Sequence, residues 1–144
     1  MKKYTAIIAA LLLLTTGCHK SPSADKLSTP GATKRFGMIT GLKPDKLAYY
    51  KQLHADAWPA VLKKISECNI HNYSIYLKEI EGKYFLFSYF EYTGTDFDAD
   101  MKKMANDSTT QRWWKETDPC QQPLPDAASQ GQIWSSMEEV FHTP

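Results

Sequence analysis

The sequence has no excess of charge of either sign: Lys+Arg 17 stand against Asp+Glu 16 in 144 residues, a formal net charge of +1. So balanced a chain has no global field to gather nucleic acid or strongly acidic partners, and a nucleic-acid-binding role is set aside. Cysteine is scarce. Cys18, Cys68 and Cys120 are too few for a disulfide framework, and no two have the CxxC spacing of zinc or thioredoxin-like sites. A Walker loop, GxGxxG, HExxH and GxSxG are all missing, so nothing points to the phosphate, dinucleotide, zincin or serine-hydrolase chemistries they carry. Long apolar runs are missing too. Residues 6–14 form a run about half of the roughly 20 residues needed to span a bilayer. What the chain has is aromatic side chains, 12% of it, in a length that allows one domain and not two.

The first stretch is an address. Lys2 and Lys3 make a basic start, the apolar run follows, and Thr15-Thr16-Gly17 supplies small residues immediately before Cys18. This is the anatomy of a secretory signal. A cysteine directly after Gly17 resembles the bacterial lipoprotein signal, in which the cysteine becomes the lipidated first residue of the mature chain. Residues 1–17 are therefore expected to be a signal peptide and Cys18 a lipidation site, with the protein exported and held to a membrane through its lipid anchor. Residues 18–34, rich in Ser, Thr, Pro, Ala and Lys, have the composition of a flexible tether. The folded domain is expected over residues 35–144.

Within it, residues 35–42 alternate as a strand and end before Lys43-Pro44-Asp45, a turn and helix start. Leu47, Tyr50, His54, Trp58, Val61, Leu62 and Ile65 recur at helical steps, interrupted by Pro59, which predicts a kink or a restart with Pro59 in a first turn. Residues 71–81 and 83–92 are strand-like runs joined by a tight turn at Glu81-Gly82. The second run is apolar on both faces. Both sides of the sheet must then be covered, and in so short a chain a second copy is the expected cover, giving a homodimer. Residues 96–115 carry a helical signal broken near 106–108, residues 118–131 read as loop, and residues 132–142 as a final strand. The order β, α, β, β, α, β matches an α+β, ferredoxin-like antiparallel sheet with helices on one face.

Histidine is the side chain suited to proton transfer near neutral pH. His54 shares a helical phase with Tyr50 and Trp58, four residues to either side, so the three are expected to form one patch, either a ligand site or a histidine at the margin of the core. His71 and Tyr73 should share a strand face by the two-residue period. Trp113 and Trp114 point about 100° apart on a helix, so one can anchor the core while the other lines a pocket. A metal site would need His54, His71 and His142 to converge without any tight-spacing motif, and no metal or other cofactor is expected. Cys68 and Cys120 would meet oxidising conditions outside the cytoplasm, where a structural disulfide can form.

With Tyr50-Lys51-Gln52-Leu53-His54, Trp58-Pro59, His71-Asn72-Tyr73-Ser74-Ile75-Tyr76-Leu77, Gln111-Arg112-Trp113-Trp114 and Glu138-Glu139-Val140-Phe141-His142-Thr143-Pro144 in hand, residues 35–144 resemble the L-rhamnose mutarotase family. The resemblance implies a ferredoxin-like domain dimerising sheet to sheet as an α/β barrel, an isomerase of a small sugar substrate that interconverts the anomers of L-rhamnose, and no metal. It implies that His54 is the catalytic proton donor, that Tyr50 and Tyr73 bind the substrate, and that Trp113 and Trp114 contact the sugar. Two departures stand out: the family usually works in the cytoplasm, and Ala60 stands where the family commonly has an acidic residue.

The mechanism expected is acid/base-catalysed opening and reclosure of the pyranose, with His54 as the acid that returns to base on reclosure. The alternatives are a non-catalytic sugar-binding lipoprotein with the same aromatic pocket and, less supported by the residues, a dimeric enzyme acting on aromatic or haem-like ligands.

Overall fold

In the computed structural model, which describes residues 32–143, the first strand, β1 (Lys34–Leu42), begins where the tether composition ends. The expected signal peptide, Cys18 and nearly all of the tether lie outside the described residues. A 3-10 turn, Pro44–Lys46, leads into α1 (Leu47–Ala55). Pro59 then opens a second helix, α2 (Pro59–Glu67), as its first residue, where a missing N–H breaks no helical bond. The predicted restart is therefore present.

β2 (Ile70–Ile80) and β3 (Lys83–Tyr92) form the expected hairpin. Glu81 and Gly82 both have positive φ, 50° and 74°, the conformation that a two-residue turn needs to match the strand twist. After β3 come α3 (Phe97–Ala105) and α4 (Ser108–Thr117), each opened by an aspartate whose side chain accepts from a backbone N–H, Asp96 from Ala99 and Asp107 from Thr110.

Residues 118–131 are more structured than the loop expected. They hold a 3-10 turn (Asp118–Cys120), a two-residue strand β4 (Gln121–Gln122) and α5 (Pro125–Ser129). The predicted final strand over 132–142 shrinks to β5 (Ser135–Met137). Pro123 and Pro125 offer no N–H to a ladder, so pairing stops after Gln122 and resumes only beyond α5. Both short strands pair with the same edge of β1: β4 at Gly41 and Leu42, β5 at residues 37–39. Gly41 makes the first pairing possible, because a Cβ there would lie 2.7 Å from the Gln122 carbonyl oxygen.

The antiparallel sheet runs β2-β3-β1-β4, with β5 also on β1. Among the described residues this is an α+β fold, a curled sheet with five α-helices. One sheet face carries Leu42, Leu86, Phe90 and Tyr92, all buried under the helices. The other carries Phe85, Phe87 and Tyr89, with Tyr76 64% exposed opposite Phe87. Cys68 and Cys120 are both buried and unpaired, in separate core clusters, so they make no disulfide. Among the described residues no helix is long and apolar enough to cross a membrane.

Candidate active site

Tyr50 and His54 stand one helical turn apart on the inner face of α1, their rings 4.2 Å apart and tilted by 31°. The helix that aligns them also gives His54 a partner: its Nδ1 lies 2.9 Å from the Tyr50 carbonyl oxygen. A neutral imidazole donates its Nδ1–H to that carbonyl, which leaves Nε2 with its lone pair. Burial pushes His54 below the ordinary 6.5, opposed by the bond to the carbonyl, which favours the charged ring. The resting group is thus a neutral base.

From α4, Trp113 brings its ring edge-on to His54 at 5.2 Å. The four-residue spacing predicts that Trp58 continues the Tyr50–His54 patch, but α1 stops at Ala55 and Trp58 becomes the residue before α2. Trp58 instead meets Trp113 at 5.4 Å, with the Arg112 guanidinium 5.9 Å from its ring centre. Trp113 is 8% exposed and faces His54, while Trp114 packs against the Cys68 and Tyr92 cluster as well as lining the cavity. Both tryptophans thus divide their surface between core and cavity.

Tyr73 reaches the same place from the sheet, and here the two-residue period fails. β2 carries an irregularity between His71 and Ser74, where Asn72 takes φ 48°. The extra residue flips the alternation, so His71 sits opposite Glu91 on the outer face while Tyr73 turns inward with Ile75. His54, His71 and His142 consequently lie on α1, on the outer sheet face and in the segment beyond β5. Among the described residues no three His, Cys, Asp or Glu side chains gather as a metal would require.

The cavity has two adjoining lobes of about 560 and 360 Å³, a size suited to small ligands, and Tyr50, His54, Tyr73 and Trp113 line both. Every site residue expected within the described chain is therefore brought together, with Trp114 in the second lobe. Burial raises the Tyr50 phenol far above its usual 10, helped by Tyr73, Cys120 and Asp118 nearby, and pushes the Tyr73 phenol up to about 12. Both remain hydroxyl donors at neutral pH.

Among the residues of the second lobe that the sequence reading misses are Asp118, Gln121 and Trp134. Burial raises the Asp118 carboxyl above the ordinary 3.8, opposed by the neighbouring Thr117 side chain. A signal did exist, because Trp113, Thr117 and Gln121 recur at four-residue steps. The prolines of 119–125 hid it by marking the segment as loop.

Comparison with known proteins bears on this cavity. The family model described as L-rhamnose mutarotase matches residues 35–143. The chain is 33% identical over 109 residues to the L-rhamnose mutarotase of Bacillus subtilis (strain 168), covering 76% of this chain and 97% of that one. It is 32% identical over 109 residues to that of Oceanobacillus iheyensis, with the same coverage. The crystal structure of an L-rhamnose mutarotase from Formosa agariphila matches its fold with a TM-score of 0.58 at 22% identity, over 77% of this chain and 99% of that one.

Proposed function

Because the chain belongs to the L-rhamnose mutarotase family, we propose that it is an isomerase exchanging the α and β anomers of L-rhamnose, or of a related deoxysugar, in the cavity around His54. The observation that carries the residue assignment is the bond from His54 Nδ1 to the Tyr50 carbonyl, which leaves Nε2 free for proton transfer. In a pyranose the anomeric hydroxyl oxygen and the ring oxygen are bonded to the same carbon, so one nitrogen can serve both in turn.

Neutral His54 takes the anomeric hydroxyl proton on Nε2. The bond from the anomeric carbon to the ring oxygen breaks as the aldehyde forms, and the same nitrogen gives the proton to that oxygen. Rotation about the adjacent carbon–carbon bond presents the other carbonyl face. On reclosure Nε2 takes the hydroxyl proton back and delivers it to the new anomeric oxygen, so protons and electrons balance. His54 keeps the donor role that the family resemblance implies but starts as the base, because the buried ring rests neutral. Tyr50 and Tyr73 donate to sugar hydroxyls, and the flat faces of Trp113 and Trp114 hold the C–H surface of the ring.

The finer architecture is a ferredoxin-like plan in which β4 and β5 together act as the fourth strand, dimerising sheet to sheet. Support comes from the strand order and from the apolar outer face around Phe85, Phe87 and Tyr76. Cys18 carries the lipid, and residues 18–34 tether an exported domain to a membrane. Its motivation is the signal anatomy of residues 1–17. Cys18→Ala is expected to move the protein from the membrane fraction to the soluble one; retention in the membrane would contradict the anchor.

Saturation-transfer NMR on a panel of L-rhamnose and other deoxysugars tests the activity. Faster anomer exchange with the wild type is expected. Tight sugar binding without faster exchange would select a binding protein in its place.

A further inference from the structure

Gln121 has a side-chain oxygen with nothing to do. The residue is 5% exposed and lines the second lobe, and its Nε2 donates to the Thr117 carbonyl oxygen at 3.3 Å. That bond sets which end of the amide is which, and the Oε1 left over finds no hydrogen-bond partner among the described residues. The arrangement is held from both sides. Thr117 is itself tied to the Trp113 carbonyl at 3.2 Å, and the Gln121 backbone pairs with Leu42 of β1. The other buried side-chain oxygen without a partner, Ser88 Oγ, belongs to the inward sheet face between Met38 and Ile75, both of which line this lobe. Buried amide oxygens are almost always paired, and this one has no open surface, so a small turn of the side chain on binding would let an occupant's O–H or N–H meet Oε1.

We infer that Gln121 is a sugar-recognition residue whose Oε1 accepts one hydroxyl of the bound pyranose, thereby setting which hydroxyl pattern the site takes. The inference rests on the mutarotase reading of the same cavity and extends it. The phenols of Tyr50 and Tyr73 serve as donors, and Gln121 Oε1 adds a neutral acceptor whose place is set by the fold. A fixed acceptor selects a hydroxyl over a hydrogen at one ring carbon, because a deoxy sugar leaves the buried oxygen unpaired.

Gln121→Met removes the acceptor at similar volume. The KM for L-rhamnose should rise about tenfold while the exchange rate at saturation stays within about threefold, the size expected for one hydrogen bond in the bound sugar. A packing defect would not show the second signature: one of the 2-, 3- and 4-deoxy forms of L-rhamnose should bind about tenfold more weakly than L-rhamnose to the wild type, yet equally to wild type and variant. An unchanged KM in Gln121→Met, equal loss for every analogue, or wild-type binding that is indifferent to all three deletions overturns the inference alone. A wild type that neither exchanges nor binds any of these sugars overturns the mutarotase reading and the inference with it.

Discussion

His54 earns its role through its environment rather than its identity. Among the described histidines, His54 is the one held between Tyr50 and Trp113, with Nδ1 on a carbonyl and its basicity lowered by burial. On the proposed mechanism the active form is the neutral ring, so the exchange rate at saturating sugar should rise with pH through a midpoint below 6.5 and then level off. A rate that falls over that range would mean that the imidazolium acts first. The same shift affects stability. Below about 6.5 the unfolded chain binds a proton that folded His54 resists, so the fold loses stability as pH falls from there through the lowered value. Urea titrations across this range should show that slope, and His54→Gln should reduce it. Away from the cavity, the Tyr92 hydroxyl and the Asn69 amide both donate to Asp100, tying the α2–β2 turn to α3. Tyr92→Phe should lower unfolding stability by about 1–3 kcal/mol with little effect on KM.

Among the elements, those with strong local signals were legible from sequence. Pro59 split α1 from α2, Glu81-Gly82 closed the β2–β3 hairpin, and the helical signal over 96–115 broke near 106–108, where α3 gives way to α4. Tyr50, His54, Tyr73, Trp113 and Trp114 were identified through family resemblance, whereas spacing alone left His54 between a ligand site and a core margin. Two local departures from periodicity were hidden. The irregularity at Asn72 adds one residue, which no two-residue count anticipates, and it separates His71 from Tyr73. β4 is two residues long between a 3-10 turn and a proline, too short to show any pattern, yet it sets Gln121 in the cavity. Gly41 controls that placement. Gly41→Ala should push β4 away from β1, lowering the thermal midpoint and raising the KM for sugar, and calorimetry with exchange kinetics checks both. A variant unchanged in both would mean that β4 does not position the cavity wall.

At the scale of the whole molecule, the sheet has one face under helices, while the other meets the chain end near Arg35 and Tyr89 and leaves large apolar side chains of β2 exposed. Tyr76 and Ile80 are 64% and 44% exposed on β2, and Tyr76 pairs across to Phe87 on the outer face. A second copy seated there, as proposed, would account for a β3 that is apolar on both sides. Sedimentation should give a dimer for residues 35–144 and a monomer for Tyr76→Glu, while a monomeric wild type would contradict the sheet-to-sheet arrangement. The aromatic content that set this chain apart thus divides among three tasks: core at Phe90 and Tyr92, outer face at Phe85 and Phe87, and cavity at Tyr50, Tyr73, Trp113 and Trp114.

The central claim is that His54 moves the proton in sugar anomer exchange. Exchange spectroscopy of saturating L-rhamnose with wild type and His54→Ala, both verified as folded and sugar-bound, tests it most directly. The enzyme-dependent rate should fall by about 10²–10⁴ in the variant, whereas a folded, sugar-bound variant that exchanges anomers at the wild-type rate would contradict the account.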